Sequence, residues 1–443
     1  MKKIGDIMSK TLFATNPSTS AFKAVEEMYK NKIGALLIKE NENYVGIFTK
    51  TDWMYLFLGG DCDPHKVKVQ DVMSSPIITI DRYESLPKAT AMIEEKKIRH
   101  IAVTGEGEII GMLSVKDLQT HFYTKWGLVK AVDGVSFDLK KGETLAVVGE
   151  SGSGKSVTSL SIMQLIPSPP GFIVGGEINL EGENLLDKSD REMQSVRGSR
   201  IAMVLQDPMT ALNPVFKISD QVGETLSIHK KLKGSKLYNS IIDMLEKVNI
   251  PAAEDRMKDY PHQLSGGMRQ RGVGAIGVSC SPTVLIADEP TTSLDATIQA
   301  QYLRLLKDLQ NEFGMAILFI THDFGIVAKM CDRVAVMYAG RIVELGDVRE
   351  IFNNPKHPYT QGLIRSVPSM DEDIDRLYSI PGQPPALWDV PDGCRFSPRK
   401  ETPCCDVCVN EKYEMVEINP GHLVDGCKCC LGTCKSSKKS SKK

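Results

Sequence analysis

Residues 149–156 read Gly-Glu-Ser-Gly-Ser-Gly-Lys-Ser, and no other stretch limits the possible folds as strongly. The octet fits Gly-x4-Gly-Lys-[Ser/Thr] without a mismatch. The run before it, Glu143 to Val148, is apolar and partly β-branched and predicts a buried strand. The run after it, Val157 to Leu165, predicts a helix. Strand, glycine loop and helix in that order let backbone N–H groups converge on phosphate oxygens. The helix N-terminus adds about half a positive charge. Gly149, Ser151, Gly152, Ser153 and Gly154 would form the cradle. Lys155 would reach the β- and γ-phosphates, and the Ser156 hydroxyl would bind Mg2+. The octet therefore predicts an α/β nucleoside-triphosphate-binding fold.

At 443 residues the chain is long enough for two to four domains. Formal net charge is −2, so no global attraction to nucleic acid is implied and no nucleic-acid partner is expected. No apolar stretch approaches the roughly 18 residues that span a bilayer, and Met1-Lys-Lys-Ile-Gly-Asp6 lacks an apolar signal core. A cytoplasmic chain is expected, with any membrane role passing through a partner. Of 11 cysteines, 8 lie between Cys394 and Cys434. A reduced compartment disfavours disulfides, so this density favours a metal site. Lys435 to Lys443 holds only Lys and Ser and is expected to be a disordered tail.

The N-terminal segment contains a duplication. Asp6-Ile-Met-Ser9 returns as Asp71-Val-Met-Ser74, Lys23-Ala24 as Lys88-Ala89, Gly46 as Gly111 and Asp52 as Asp117. Each copy has an apolar-periodic helix, then two short apolar strands around a polar turn. The segment resembles a tandem pair of CBS modules, with Gly46-Ile-Phe-Thr-Lys-Thr-Asp52 and Gly111-Met-Leu-Ser-Val-Lys-Asp117 as the nearest matches. The resemblance implies an adenosyl ligand whose ribose hydroxyls meet Asp52 and Asp117; the other reading makes both residues helix caps. Leu113 to Leu118 can close the second module or open the next domain's first strand.

Downstream, further motifs follow in order. Ile201-Ala-Met-Val-Leu-Gln206 is a strand ending in an amide. Leu264-Ser-Gly-Gly-Met268 opens a helix with Ser265, Gly266 and Gly267. Thr283-Val-Leu-Ile-Ala-Asp288-Glu289 is an apolar strand ending in two acids. Ser293-Leu-Asp295 and Ile317-Leu-Phe-Ile-Thr-His322 complete the set. The whole resembles the ATPase subunits of ABC transporters: a RecA-like P-loop core with a helical subdomain. The resemblance implies Mg2+ at Ser156, Gln206 and Asp288, Glu289 as general base and His322 orienting the attacking water. It also implies that Ser265, Gly266 and Gly267 meet the ATP of an opposing subunit, and that Asp295 crosses that interface. Trp126 takes the place of the adenine-stacking ring, with Tyr123 as the alternative. Gly272, Gly274 and Gly277 lie inside the helix after the signature, where interior glycine costs about 1 kcal/mol each relative to Ala.

Leu205 to Pro214, Asp288 to Ala300, His357-Pro-Tyr-Thr-Gln-Gly-Leu363, Ile380-Pro-Gly-Gln-Pro-Pro385 and Gly393-Cys394-Arg-Phe-Ser-Pro-Arg399 are similar to importer ATPases for dipeptides, oligopeptides and nickel. In many of these, four cysteines of the C-terminal extension hold a [4Fe–4S] cluster. Here Lys400 stands at the usual second position. Cys394, Cys408 and Cys427 fit the others, and Cys404 or Cys405 could replace the missing ligand; Cys429, Cys430 and Cys434 have no counterpart. Thiolates suit iron–sulfur or, alternatively, zinc. The expected domains are 1–117, a CBS pair; 118–350, the cassette; and 351–443, the extension.

The resemblance implies a peripheral subunit at the cytoplasmic face of the membrane. It would pair with itself or a sister ATPase, act on two permease subunits and serve a solute-binding protein indirectly. Peptide import is expected. The alternatives are nickel or metal-complex import, a non-transport ABC ATPase, or an adenosyl-ligand sensor.

Overall fold

The computed structural model describes residues 14–31, 35–40, 43–49, 52–53, 66–75, 79–81, 102–104, 113–205, 208–292, 294–367, 378–400 and 404–432. It divides into two compact units, Met1–Ile110 and Gly111–Lys443.

In the first unit, β1 (Ala14–Thr15) precedes α1 (Ala21–Lys30), β2 (Ala35–Glu40) and β3 (Asn43–Thr49), and a separate pair is formed by β4 (Thr79–Asp81) and β5 (Ala102–Thr104). Ser20 caps α1 by accepting from Lys23 N. Ala21, Ala24 and Met28 recur at helical spacing and pack on Leu36, Ile38, Phe48 and Val69. The repeated Asp-x-Met-Ser has a visible job in its second occurrence. Ser74 and Ile47 exchange backbone hydrogen bonds of 2.9 and 3.0 Å, and Met73 covers Gly46, where a Cβ would come within 2.5 Å of its sulfur. The first occurrence, Asp6 to Ser9, lies outside the described residues.

The second unit sandwiches one core between two sheets. An antiparallel sheet has the order β10-β9-β6-β7, built from β6 (Leu113–Thr124), β7 (Gly127–Leu139), β9 (Gly171–Leu180) and β10 (Glu183–Asn184). An eight-stranded sheet has the order β11-β12-β13-β8-β14-β15-β17-β16. Its strands are β8 (Thr144–Val148), β11 (Ile201–Val204), β12 (Val284–Asp288), β13 (Ala316–Ile320), β14 (Arg333–Tyr338), β15 (Arg341–Asp347), β16 (Met415–Asn419) and β17 (His422–Asp425). From β11 to β14 neighbouring strands pair parallel. Every residue of β8, β12 and β13 is buried, as continuous apolar runs in a two-sided sheet require.

The junction falls earlier than the expected boundary at 117. Leu113, Val115 and Leu118 are buried with Leu139, Ile178 and Leu180 between the two sheets of the second unit. Burying each is worth about 1.5–3 kcal/mol, so the antiparallel sheet keeps the shared segment. Asp117 goes with it and is corrected here: it sits in a β-bulge at φ 47°, and its backbone N–H donates to Ser136 Oγ at 2.8 Å.

The helices that carry the site are α2 (Lys155–Ile162), α3 (Ile218–His229), α4 (Gly234–Lys247), α5 (Gly266–Val278) and α6 (Ala296–Phe313). Helices α3, α4 and α5 share an apolar cluster with Val204 and Leu285. Two of the interior glycines of α5 are explained by close approach. A Cβ on Gly274 would stand 3.2 Å from Tyr302 Oη of α6, and one on Gly277 would stand 3.1 Å from Val204 Cγ2; Gly272 is buried, but a Cβ there would meet nothing within 4 Å.

Candidate active site

The glycine loop is shaped by what crowds it. Gly149, Gly152 and Gly154 have φ of 152°, 79° and 106°. A Cβ on Gly149 would meet Met337 O at 2.1 Å, and one on Gly154 would meet Ala131 O at 2.4 Å, so both backbones lie where only glycine fits. Lys155 Nζ folds back onto Gly149 O at 2.8 Å and Glu150 O at 3.1 Å. Burial holds its pKa below the ordinary lysine value, against the attraction of Glu289 and Asp288. The buried Ser153 hydroxyl has no hydrogen-bond partner among the described residues. A buried unpaired hydroxyl costs about 1–3 kcal/mol. An ammonium, an unpaired hydroxyl and the start of α2 fit a polyphosphate.

Asp288 ends β12, beside the glycine loop. Ser156 Oγ donates to Asp288 Oδ1 at 3.2 Å. Burial raises the Asp288 pKa; Glu289 beside it adds to the rise, and Ser156 and Lys155 oppose it. A hydroxyl and a carboxylate at that distance fit a hard divalent cation with oxygen ligands. Glu289 follows at φ 46°, and its Oε1 lies 3.3 Å from His322 Nδ1, just beyond β13. Thr292 Oγ1 donates to Glu289 Oε2 at 3.2 Å. Carboxylate and imidazole thus stand side by side at the ends of β12 and β13.

Two further motifs face solvent. Ser265 caps α5, accepting from Met268 N at 3.3 Å, and it and Gly266 are exposed while Gly267 is half-buried. Asp295 caps α6, its Oδ1 accepting from Thr297 N and Ile298 N at 3.0 Å each, and is exposed. Buried Gln270 of α5 donates to Pro290 O at 2.7 Å, tying the signature helix to the residue after Glu289. Trp126 stands at the β6–β7 hairpin tip, 71% exposed, with Lys125 Nζ 4.7 Å from its ring centroid. Ala131, lower on β7, backs Gly154. Tyr123 packs edge-on against Phe172.

The C-terminal segment grips this site. Strand β17 pairs with β15, and buried His422 Nε2 lies 2.7 Å from Glu344 Oε1. Arg395 reaches Asp133 of β7 and Ala339 O. Burial works to raise the Asp133 pKa, but Arg395 and Arg341 hold it below the usual carboxylate value. Arg399 binds Glu150 of the glycine loop through Nη1 at 2.6 Å and Nη2 at 3.2 Å. Tyr359 Oη accepts from Glu150 N at 2.8 Å.

Beside Arg399, the sulfurs of Cys394, Cys404, Cys427 and Cys430, all buried, lie within 4.8 Å of one another. Cys394 and Cys430 are 3.4 Å apart, and Cys404 and Cys427 3.9 Å. A tetrahedral ion with bonds of about 2.3 Å places thiolates about 3.8 Å apart. That spacing suits one ion; a four-iron cage would need a wider set. Cys394 is positioned by backbone hydrogen bonding to Cys408 O at 2.8 Å, and Gly393 permits that approach, since a Cβ there would meet Cys408 O at 2.3 Å.

Residues 132–292 match the ABC transporter family, and residues 343–405 match the oligopeptide/dipeptide transporter C-terminal region. The chain is 54% identical over 314 residues to the oligopeptide transport ATP-binding protein OppD of Bacillus subtilis, covering 71% of this chain and 87% of the relative. The chain belongs to the ATP-binding subunits of ABC transporters. It is an ABC-type ATPase. It is also 48% identical to the dipeptide transport ATP-binding protein DppD of Lactococcus lactis, covering 70% and 89% of the two chains. A solved dimeric ATP-binding cassette, MJ0796 bound to ADP and Pi, is 25% identical with a TM-score of 0.49, covering 54% of this chain and 99% of that one. Residues 4–59 and 69–123 match the CBS domain, and the structure gives the last part of the second match, from Leu113, to the sheet of the cassette.

Within the cassette, Lys155, Ser156, Asp288, Glu289 and His322 come together, whereas the hydrogen bonds of Ser265 and Asp295 go to their own helices. Gln206 lies outside the described residues. In the CBS unit, Asp52 accepts from Thr49 N and Thr49 Oγ1 at 2.7 Å each, the local capping arrangement. Of the cysteines expected to share a metal, Cys394, Cys404 and Cys427 meet, but Cys408 is replaced by Cys430. The Cys408 sulfur belongs to a different set, with Cys405 and Cys429. Lys400 Nζ stands 3.7 Å from Cys404 Sγ and 3.9 Å from Cys430 Sγ. Sequence reasoning missed Glu150, Tyr359, Arg395 and Arg399 as members of the site. Their signal was one arginine-rich segment, Arg395-Phe-Ser-Pro-Arg399, whose partners lie far away in sequence.

Proposed function

We propose that this chain is the ATP-hydrolysing subunit of an importer for peptides, working as one half of an ATPase pair on two permease subunits at the inner membrane face. Its named relatives are oligopeptide and dipeptide transport ATP-binding proteins. Among the described residues no helix is long and apolar enough to cross a membrane, consistent with attachment through permeases. The observation that supports the reading is a divided set of motifs: Lys155, Ser156, Asp288, Glu289 and His322 gather near the strand ends, while Ser265 lies exposed at the start of another helix.

ATP is the substrate. Lys155 leaves the Gly149 and Glu150 carbonyls and binds the β- and γ-phosphates, while Ser153 gains a partner. Ser156 and Asp288 would hold Mg2+, which neutralises phosphate charge during transfer. Glu289 takes a proton from the attacking water, and His322 keeps water and carboxylate aligned. Ser265, Gly266 and Gly267 of the opposing subunit close over the γ-phosphate, with Asp295 at the seam. Trp126 stacks on adenine. The four buried thiols hold a single tetrahedral ion, zinc in preference to a [4Fe–4S] cluster. The CBS unit takes an adenosyl ligand at Asp52.

Co-expression with candidate permeases, followed by ATP-dependent uptake of labelled peptide into vesicles, tests the assignment. Uptake that requires Glu289 is expected. Nickel uptake without peptide uptake would replace the substrate class, and phosphate release without any pairing would overturn the split site.

A further inference from the structure

A tetrahedral site uses four thiolates, and this segment carries twice that number. Their arrangement is systematic. Cys404–Cys405 and Cys429–Cys430 are adjacent pairs. In each pair one thiol is buried and joins the four-sulfur set, and the other is half-buried and joins Cys408 in a separate set. The backbone at Cys405 is extended, with φ −65° and ψ 159°, and extended chain sends successive side chains to opposite sides. Two doublets divided in the same way fit two sites lying side by side.

The second set has a metal-ligand frame of its own. Cys405-Asp-Val-Cys408 has two residues between its thiols, the spacing that Cys427-Lys-Cys-Cys430 has in the first set. Cys405 stands at the N-cap of α7 (Asp406–Asn410) and Cys408 on its first turn. Cys429 comes from the turn after β17. The three sulfurs lie within 4.8 Å of one another, and those of Cys405 and Cys429 are 3.7 Å apart. That separation equals the roughly 3.8 Å edge of a thiolate tetrahedron with 2.3 Å bonds.

We propose that Cys405, Cys408 and Cys429 form a second metal site that takes one soft divalent ion of the zinc class. Water supplies the fourth place. The inference is independent of which metal the four-thiolate set holds.

The test uses the full chain, stripped of metal anaerobically and titrated with Co2+ while thiolate-to-cobalt absorption is followed. Wild type is expected to bind one equivalent more than Cys405→Ser/Cys429→Ser. Cys394→Ser/Cys427→Ser is expected to lose the first site and keep the second. If the four-thiolate set prefers iron, the difference between wild type and Cys405→Ser/Cys429→Ser still reads the second site alone. In a second measurement on wild type, Co2+ should shield Cys405 and Cys429 from iodoacetamide, and a chelator should expose them. Equal metal in wild type and Cys405→Ser/Cys429→Ser, or a Cys405–Cys429 disulfide that persists in the presence of Co2+, overturns the proposal.

Discussion

Arg399 and Glu150 offer the sharpest test of how the extension bears on the nucleotide site. The perturbation is a double-mutant cycle of Arg399→Met, Glu150→Gln and both together. Arg399 makes two bonds to the Glu150 carboxylate, at 2.6 and 3.2 Å, and two to the Pro381 and Ile380 carbonyls, at 2.8 and 3.3 Å. Its side chain is 2% exposed, that of Glu150 31%. A hydrogen bond to a charged group contributes about 1.5–3 kcal/mol net. The opening of Glu150 to water pulls the pair toward the lower end of what two such bonds could give. A coupling energy of about 2 kcal/mol follows. Arg399→Met alone costs more, because two carbonyls lose their donor as well. Urea unfolding of the full chain measures the cycle, and ATP titration reads its consequence. If about 1 kcal/mol of the coupling orders the glycine loop, ATP binds roughly fivefold more weakly to Arg399→Met. A coupling below about 0.5 kcal/mol, with the variants folded, would refute the claim that the arginine braces the loop.

Glu289→Gln should keep ATP binding and lower phosphate release by about 10²–10⁴-fold, the usual worth of a general base; unchanged turnover would remove Glu289 from that role. Ser265→Arg, on the exposed signature, should leave nucleotide binding to the isolated chain unchanged and abolish turnover in the assembled transporter, read by ATP titration and transport in parallel. His357 is fully buried, and burial lowers its pKa to about 3. The unfolded chain therefore takes up a proton first as pH falls below about 6.5, and stability is lost from there down toward 3, by about 2 kcal/mol at pH 5. His357→Asn can still accept from Tyr359 N and should flatten that part of the pH dependence in urea titrations at pH 7 and 5. Cys394→Ser/Cys427→Ser should lose one bound ion and loosen the core around Phe396 and Tyr359, seen as faster amide exchange there, with β8 and β12 unchanged.

How much of this was legible in the sequence depends on the range of each interaction. The glycine loop, the Asp288–Glu289 pair and His322 each close a buried apolar run, so local pattern alone located them. Ser265 and Asp295 were legible because a capping residue before a helix is a local signal too. The domain junction was not. Leu113 to Leu118 has a period-two pattern that fits either neighbour, and only the apolar partners Ile178 and Leu180, about sixty residues on, decide which sheet takes it. Exchanging Cys408 for Cys430 had the same cause. Spacing names the candidate thiols, but which sulfurs meet depends on tertiary contacts between segments far apart in sequence, such as the hydrogen bond from Cys394 N to Cys408 O. Gly274 and Gly277 of α5 looked like a weakness in a helix and proved to be the room that Tyr302 and Val204 need.

The extension is part of the ATPase fold rather than an appendage, and three contacts of different kinds argue it. Strand β17 completes the hydrogen bonding of β15, which would otherwise be an open sheet edge. Asp133, buried on the hairpin that ends in Trp126, is neutralised by Arg341 from the cassette and Arg395 from the extension together. Glu150, inside the glycine loop, is held by Arg399 and Tyr359. Ending the chain after β15 would strip the edge strand, leave a buried carboxylate with half its cationic partners and free the phosphate loop. Breaking a buried ion pair from one side costs about 3–5 kcal/mol, a large fraction of a domain's usual stability. The four-cysteine set adjoins this brace, since Lys400, at Cys404 and Cys430, is the next residue after the arginine on Glu150.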